Sequence, residues 1–290
     1  MSGHFNQIFG KFDDALNKSR SEEYKLSILL SQNGFSFTLF HPESNFFSGL
    51  ASFDYKGSKK INEYCTGLRK LSENNEYLTL KYSDISILYE TSKTTLIPFP
   101  VFSETDKEQF STFNFNRNPE DVVMFDKLTN LEAYNVFLIP EEIQKILTSL
   151  FPGCKIHSHT SALIESTLLY CKNLPVKKRA FVNVRKTSID IIITEGNKLL
   201  YQNSFSYMSK EDFIYYILLV LEQLKINPEE IDLNLSGLIE KDSKLFEIAF
   251  KYIRNVRFEK LSETFLYSYV IKEIPEHYFL NLININRCEL

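Results

Sequence analysis

Three short runs in the second half of the chain are rich in apolar residues and are separated by polar turns, which predicts three β-strands. The runs span residues 180–185, 188–194 and 198–205, with polar turns at 186–187 and 195–197. The second turn contains a glycine, whose tolerance of positive φ suits a tight connection between antiparallel strands. The sequence therefore predicts two consecutive hairpins at the start of this half.

Beyond these hairpins the apolar spacing alternates between that of helices and that of single buried strands. Helices are predicted at 209–225 and 243–253, where apolar residues recur every three or four positions. Buried strands are predicted at 231–235 and 256–258, and a final helix near 276–285. This order predicts a mixed sheet with hairpins on one side and crossover helices on its faces.

The first half of the chain opens with the same order of elements. Strands are predicted at 25–30 and 35–40, joined by the turn Gln32-Asn33-Gly34. Asn-Gly between two apolar runs is a strong hairpin signal, because both residues tolerate positive φ. A third strand is predicted at 46–53, and a helix at 58–72 begins at a serine that suits an N-cap.

The remainder of the first half is less regular. The elements predicted there are strands at 77–81, 85–90 and 95–98, a polar excursion over 103–120 that is helical at its start, a strand at 135–139, a helix at 141–150, a strand at 154–157 and a helix at 161–171. At the front of the chain, residues 5–16 carry apolar side chains at spacings of three and four, which predicts a short helix docked on the body.

The two halves therefore repeat one order of elements: three strands, a helix, a strand, a helix and a strand. A repeat at this scale predicts a duplicated α/β architecture. The predicted divisions are an N-terminal helix and linker over 1–23, a first lobe over 24–173 with an insertion near 77–130, and a second lobe over 174–290.

Composition and charge narrow the class of protein. Hydrophobic residues make up 43% of the chain, enough for a large core. The formal net charge of −4 argues against a protein that coats nucleic acid, since such proteins are usually strongly basic. A basic run at Lys172, Lys177, Lys178 and Arg179 keeps an RNA-associated role open as a third hypothesis.

The sequence also predicts the cellular compartment of the protein. The first ten residues lack the apolar core of a signal peptide, and no run reaches the ~18 apolar residues that span a bilayer. The four cysteines show no C-x-x-C spacing. We therefore expect a cytoplasmic protein with reduced thiols and no membrane span.

One pair of histidines is a candidate for metal binding. His157 and His159 lie on one side of a predicted strand end, and Glu165 follows a few residues later. A metal site needs a third and preferably a fourth ligand at a suitable spacing, and none is evident. We expect these residues to line the strand–helix turn and expect no metal. Neither of the glycine-rich motifs G-x-x-x-x-G-K-[ST] and G-x-G-x-x-G occurs in the chain.

The duplicated βββαβαβα order resembles the actin-like ATPases, which have a ribonuclease H-like fold. The chain is similar to the cytoplasmic actin-like proteins of type IV pilus and type II secretion systems. It is more similar still to an uncharacterised bacterial family of this fold, found mainly in Bacteroidetes. The resemblance covers the chain from about Lys25 onward, and it implies two lobes that each contain a mixed five-stranded sheet.

The resemblance also implies where a nucleotide site should lie. In active members the first hairpin of each lobe carries Asp-x-Gly, whose carboxylate organises Mg²⁺ for phosphoryl transfer. The corresponding turn in the first lobe has no carboxylate, and in the second lobe asparagine and arginine replace aspartate and glycine. Only one glycine remains of a later Gly-Gly motif. The candidate degenerate cleft consists of Ser31, Asn33, Gly34, Asn183, Arg185, Lys186, Thr187, Ser188, Ser236 and Gly237.

These departures predict a non-catalytic actin-like protein that works as a protein-interaction or assembly scaffold. We expect no catalytic residue and no bound cofactor, and a protein partner that recognises either the excursion at 103–126 or the N-terminal helix. The alternative is a nucleotide-binding switch or slow Mg-ATPase, whose lobes would close on ATP. The oligomeric state is left open.

Overall fold

A computed structural model describes residues 3–58, 60–116 and 118–290 and divides the chain into two compact units. Unit 1 holds the described residues up to Ala162, together with Ser262–Ile274 and Leu282–Leu290. Unit 2 holds Leu163–Leu261 and Pro275–Asn281. The two units are described separately below.

Unit 1 contains two sheets. Its strands up to residue 158 are β1 (His4–Phe12), β2 (Lys25–Ser31), β3 (Gly34–His41), β4 (Phe46–Lys56), β5 (Asp84–Tyr89), β6 (Thr94–Pro98), β7 (Asp121–Leu128), β8 (Ala133–Pro140) and β9 (Lys155–Ser158). The main sheet is seven-stranded, with the order β1-β4-β3-β2-β5-β9 and a short late strand added beside β4. β2, β5 and β9 run parallel, whereas β1, β4, β3 and β2 pair antiparallel. The small sheet has the order β6-β8-β7.

The helices that begin in unit 1 are α1 (Ile61–Asn74), α2 (Lys107–Asn114), α3 (Glu141–Leu150) and α4 (His159–Cys171). Side chains from α1 and α3, including Leu68 and Leu147, are buried with one face of the main sheet in a single apolar cluster. Burying such side chains is worth roughly 1.5–3 kcal/mol each, so this layer stabilises the unit.

Unit 2 is a single sheet with helices. Its elements after α4 are β10 (Lys178–Val184), β11 (Ser188–Glu195), β12 (Lys198–Ser206), α5 (Lys210–Gln223), β13 (Asp232–Gly237), α6 (Lys244–Tyr252) and β14 (Asn255–Phe258). The sheet has the order β12-β11-β10-β13-β14. α5 begins with a capping box, in which Ser209 and Asp212 each bond the other's backbone N–H, and its Phe213 and Ile217 are buried on the sheet.

The duplication predicted from the sequence is confirmed by the strand order. Five strands of unit 1, β4-β3-β2-β5-β9, follow one another as β12-β11-β10-β13-β14 do in unit 2. In both series the first three strands are antiparallel and the last three are parallel. Unit 1 extends this five-stranded plan with β1 and with one further strand beside β4.

The predicted N-terminal helix is wrong, because the residues form strand β1 on the edge of the main sheet. The cause is a β-bulge between Gln7 and Phe9, which inserts one residue and changes the alternation. As a result Phe5 and Phe12, seven residues apart, both pack against the core cluster. An interval of seven residues is also about two turns of an α-helix, so this apolar spacing resembles that of a helix.

Two other predictions in the first half need correction. Residues 77–81 form turns rather than a strand, because the Asn75 side chain accepts hydrogen bonds from the N–H groups of Tyr77 and Leu78. The strand predicted at 135–139 lies within β8 of the small sheet. In the main sheet β5 is the strand that pairs with β2, between β2 and β9. β7, which pairs with β8 along its whole length, was not predicted.

The C-terminal part of the chain returns to unit 1. The short strand β15 (Leu266–Tyr267) pairs parallel with β4, and Phe265 packs edge-on against Phe40 and Phe47. The helix predicted near 276–285 is only α7 (Leu280–Asn284), followed by a 3₁₀ turn. The linear division that assigned everything after residue 174 to the second lobe therefore differs from the grouping by contacts.

In the described part of the chain, no helix combines the length and apolar character needed to cross a membrane. The four cysteines lie among the described residues and are thiols rather than disulfides.

The docking of β1 generates the first prediction. A Cβ added at Gly49 of β4 would lie 2.3 Å from Cδ1 of Phe12, so the glycine makes room for that ring. We expect Gly49→Ala to lower the free energy of unfolding by about 1–3 kcal/mol, measured by urea denaturation. In a double-mutant cycle with Phe12→Ala, the combined loss should be smaller than the sum of the single losses. Strict additivity would contradict this packing.

Candidate functional site

In unit 1 the candidate residues lie in the tight turn between β2 and β3. Asn33 donates its backbone N–H to Ser31 Oγ (3.2 Å), and the same hydroxyl donates to the carbonyl of Gly34 (3.3 Å). A Cβ added at Gly34 would meet the carbonyl oxygen of Phe53 at 2.7 Å. The glycine is therefore required by the close approach of β4.

The carbonyl groups of this turn are bound by the protein itself. Tyr64 on α1 donates its hydroxyl to the carbonyl of Ser31 (2.6 Å), and the N–H of Tyr55 donates to the carbonyl of Asn33 (2.9 Å). Burial raises the pKa of Tyr64 well above its ordinary value, so the phenol remains a donor. The turn is tightly packed against neighbouring residues, and none of its own residues has a carboxylate.

In unit 2 the candidate residues lie at the carboxyl ends of β10 and β13. Asn183 is the register partner of Ser236 on one side and of Asp190 on the other, and Asp190 in turn faces Ser204. Residues opposite one another across a sheet point to the same face. With Glu259, which directly follows β14, these residues form a line across the sheet that we call the polar row: Ser204, Asp190, Asn183, Ser236 and Glu259.

Asp190 is the centre of the polar row and is bound by four donors. Arg185 makes a bidentate contact, with Nε 3.0 Å from Oδ2 and Nη2 2.9 Å from Oδ1. Asn183 Nδ2 donates to Oδ2 (3.1 Å), and Ser204 Oγ donates to Oδ1 (2.6 Å). The carboxylate is 1% exposed and the arginine side chain 13% exposed. Arg185, which is predicted to stand at the position of the motif glycine, is thus held by a buried aspartate on the neighbouring strand.

The turn that follows Arg185 is short and closed. The N–H of Arg185 donates to the carbonyl of Ser188 (2.8 Å), while Lys186 and Thr187 are exposed at the tip. Tyr207, the residue that follows β12, also binds this turn. Its hydroxyl donates to the carbonyl of Arg185 (2.9 Å), and its N–H donates to the carbonyl of Thr187 (3.2 Å). The structure therefore brings together Asn183, Arg185 and Ser188, with the two tip residues beside them.

Gly237 is the retained glycine of the predicted Gly-Gly motif, and its φ of +82° favours glycine. A Cβ there would lie 2.1 Å from the carbonyl oxygen of Val184. Its N–H donates to the carbonyl of His277 (2.7 Å), and the N–H of Leu238 donates to the carbonyl of Val184 (2.7 Å). These two amides, which a free anion site would need, are bound to protein carbonyls.

Glu259 is a member of the polar row that the sequence analysis missed. Its N–H donates to the carbonyl of Leu235 (2.9 Å), and its side chain is hydrogen-bonded to Ser236. Burial raises the pKa of Glu259 to about 7, against the opposing effects of Ser236 and the Arg257 guanidinium. Near neutrality a large share of this carboxyl group is therefore protonated. The only sequence signal was its place directly after a buried strand.

These residues do not fit a magnesium-bound phosphate. Magnesium needs hard oxygen ligands in a near-octahedral arrangement, usually carboxylates that are free to coordinate. Both carboxylate oxygens of Asp190 already accept hydrogen bonds from protein donors, and the carboxyl group of Glu259 is partly protonated. Across the described ranges, no group of three or more His, Cys, Asp or Glu residues is positioned to hold a metal ion.

The histidines near the start of α4 have structural contacts. His157 Nδ1 lies 2.8 Å from Oδ1 of Asp126 on β7. The second oxygen of Asp126 accepts the N–H of Ser158 (2.8 Å) and the hydroxyl of Ser161 (2.6 Å). Asp126 thereby binds the first turn of α4, a favourable place for a negative charge. His159 is fully buried, and its Nδ1 accepts the N–H of Thr91 at 3.4 Å.

Only part of the basic run that suggested RNA binding is exposed to solvent. Arg179 is buried and donates from Nη1 to the carbonyl of Pro175 (3.0 Å), and Lys177 forms an ion pair with Asp232. Lys172, Lys177 and Lys178 are all exposed. Three exposed lysines, one of them already paired with an aspartate, make a small footprint compared with a basic nucleic-acid-binding face, so this geometry disfavours the RNA hypothesis.

The Arg185–Asp190 pair generates the second prediction. Asp190→Asn should lower the free energy of unfolding by about 2–4 kcal/mol, because it leaves a largely buried guanidinium without its counter-charge. Replacing both partners, in Arg185→Met with Asp190→Asn, should recover part of that loss. Urea denaturation of the wild type, both single variants and the double variant measures the cycle. A single-variant loss below about 0.5 kcal/mol would contradict a strongly coupled pair.

Solved structures with a similar backbone are consistent with the fold described above. A protein of Bacteroides thetaiotaomicron, described as having an actin-like ATPase fold and unknown function, is 26% identical with a TM-score of 0.79, over 94% of this chain and 99% of that chain. PilM in the PilM–PilN type IV pilus biogenesis complex is 13% identical with a TM-score of 0.59, over 91% and 98%. The cytoplasmic domain of EpsL, an inner membrane component of the type II secretion system of Vibrio cholerae, is 10% identical with a TM-score of 0.46, over 92% and 96%. No curated protein matches the chain.

The actin-like ATPase fold expected from the order of elements is therefore confirmed. A protein-family model described as "Protein of unknown function (DUF3822)" matches residues 13–256, well over half of the chain. The match begins in the segment after β1 and ends in β14, so it includes most of both five-stranded series. The chain has the actin-like ATPase fold and belongs to the DUF3822 family.

Proposed function

We propose that this chain is a non-catalytic actin-like protein that acts by binding a protein partner. The observation that carries the proposal is the bidentate pair between Arg185 and Asp190. It occupies the part of unit 2 where an active relative would hold its motif aspartate and glycine.

The ion pair opposes phosphate binding in two ways. First, the guanidinium already has a carboxylate in the geometry that a phosphate would need, so a phosphate would have to displace a buried partner. Second, a buried aspartate beside the site adds negative charge that the guanidinium only balances. A catalytic metal contributes several kcal/mol at the transition state, and each ~1.4 kcal/mol lost slows the reaction tenfold. Efficient hydrolysis is not expected from this arrangement.

Binding to another protein is supported by the similarity to PilM, whose solved structure is described as a complex with PilN. At 13% identity that likeness concerns the fold alone. It supports the proposal that an actin-like lobe pair can serve as a platform for a partner, and it does not identify the partner of this chain.

The proposed recognition surface lies on the insertion of unit 1. The inner side of α2 packs on the small sheet, where the ring of Phe110 stacks near Phe102 at 6.1 Å. The outer side carries Phe113, which is 87% exposed, and Val101 before the helix is 62% exposed. Both side chains would bury apolar area beneath a partner, and we place the recognition surface on them. The alternative surface, an N-terminal helix, no longer applies, because those residues form β1.

A nucleotide-binding switch is the second candidate, and Glu259 is the observation that favours it. This carboxyl group lies in the polar row beside Ser236, and its pKa of about 7 means that it is mainly ionised above neutral pH. An ionised glutamate could supply one oxygen to a magnesium ion. The switch hypothesis therefore requires nucleotide binding that increases as the pH rises through about 7.

The third prediction separates these two functions by thermal shift. With Mg-ATP at about pH 6 and about pH 8.5, we expect a change in Tm of less than about 1 °C at either pH. A ligand at a hundred times its Kd would stabilise the native state by about 2.7 kcal/mol, which corresponds to several degrees.

The matched variants for this experiment are Glu259→Gln and, as a control on the exposed face of α6, Glu247→Gln. A shift at the higher pH that Glu259→Gln removes and Glu247→Gln retains would establish the switch and overturn the non-catalytic proposal. The same flat response in all three proteins at both pH values is the expected result.

The fourth prediction concerns the partner. Crosslinking and co-purification from the native host should recover one or more proteins with the wild type, and Phe113→Ser should lose them. Phe250→Ser, which changes a comparably exposed ring on α6, is the control and should retain them. Both side chains are solvent-exposed, so the thermal unfolding of either variant should stay near that of the wild type. Loss of the same proteins with both variants, or with neither, would contradict the proposed surface.

A further inference from the structure

The sheet of unit 2 ends in a long strand with one unpaired edge. β12 spans nine residues and, among the described strands, pairs only with β11. The unpaired side of such a strand presents a row of backbone N–H and C=O groups that can pair with another chain. At the opposite end of the sheet, β14 has only four residues.

The equivalent edge of the sheet in unit 1 pairs with an additional strand. The strand equivalent to β12 is β4, and there β1 adds to the outer edge as an antiparallel strand. The added strand places aromatic rings over the core, with Phe5 against Tyr64 at 5.4 Å and Phe12 stacked on Tyr77 at 3.7 Å. The lobe architecture therefore accommodates an additional antiparallel strand at this position, and in unit 2 the position holds no described strand.

Apart from Lys198 and a bulge at its start, β12 lacks the features that usually protect an edge. Residues 199–207 include no charged residue and no proline, and the bulge of the strand lies near its start, at the register shift between Ile193 and Thr194 of β11. Natural edge strands are commonly protected by lysine, proline or a central bulge. β1, the open edge of unit 1, has such protection: a bulge in its middle and Lys11 paired with Glu273.

Aromatic side chains lie along the same edge. Tyr201 and Phe205 face the side of the sheet covered by α5, because their register partners Ile193 and Ile189 belong to that core. Phe205 stacks on Tyr216 of α5 with ring centres 4.6 Å apart, and the neighbouring Tyr215 is 58% exposed. Half-buried aromatic rings beside an open strand can bury further area against a second strand.

We propose that β12 pairs antiparallel with β12 of a second copy of this chain, joining the two five-stranded sheets across a twofold axis. We place the twofold axis at Asn203, the centre of the stretch 199–207, so that Asn203 faces its own copy and residues equally far from it on either side face each other. The stretch carries no charge, so this pairing brings no like charges together. This inference does not depend on the proposed function, since it concerns a different surface and a different binding partner.

The fifth prediction tests self-association directly. Sedimentation velocity or light scattering over a concentration series should give the wild type a mass of twice 33.9 kDa at high concentration. Asn203→Lys and Asn203→Asp, each at an exposed position in the middle of β12, should both be monomeric, because each places like charges opposite one another. An equimolar mixture of the two variants should recover the dimer mass, since opposite charges then face each other.

The control is Asn255→Lys, an exposed asparagine on β14 at the other edge of the same sheet, which should remain dimeric. Hydrogen exchange should slow at residues 199–207 as the wild type associates. A monomeric wild type throughout the series, or dimers that persist in both Asn203 variants, would overturn the proposal. So would a mixture of the two variants that remains monomeric.

Discussion

The bidentate ion pair between Arg185 and Asp190 is the interaction on which the interpretation of this molecule depends. A buried carboxylate is tolerated only when its charge and its hydrogen-bonding capacity are satisfied, and Asp190 receives four donors from three neighbouring residues. Those donors come from β10, from its following turn and from β12, so the pair links three segments of the sheet. The same contacts use the Nε–Nη2 edge of the guanidinium and both oxygens of the carboxylate, which are the atoms that a phosphate or a metal ion would need.

Backbone groups near the candidate site are also hydrogen-bonded within the protein. Gly237 has a positive φ of +82°, and its N–H is bound to the carbonyl of His277, while the N–H of Leu238 is bound to the carbonyl of Val184. In unit 1 the turn at Ser31 and Asn33 is bound by two tyrosines. A site that has lost its ligand would otherwise leave buried polar groups unsatisfied, at a cost of about 1–3 kcal/mol each. Here protein groups satisfy them, which agrees with a fold that is stable without nucleotide.

The sequence predicted those parts of the structure that depend on local pattern. The elements from β10 to β14 were predicted in the right order, because each has a clear period and a distinct turn. β1 was misassigned because its bulge gives a strand the apolar spacing of a helix. Asp190 and Glu259 were missed as site residues because strand register, which motifs do not record, brings them beside Asn183 and Ser236. The return of β15 to unit 1 depends on contacts more than two hundred residues apart, and no local pattern reports it.

The central proposal is that the ion pair of unit 2 occupies the position where the resemblance to active actin-like ATPases predicts a phosphate site. The most direct test is a crystal structure determined with magnesium and a non-hydrolysable ATP analogue, at a pH above 8 so that Glu259 is ionised. The account predicts that Arg185 remains bidentate to Asp190 and that no phosphate density lies beside the turn at residues 185–188. A phosphate bound by Arg185, with Asp190 released from it and a magnesium ion on Asp190 or Glu259, would contradict the account.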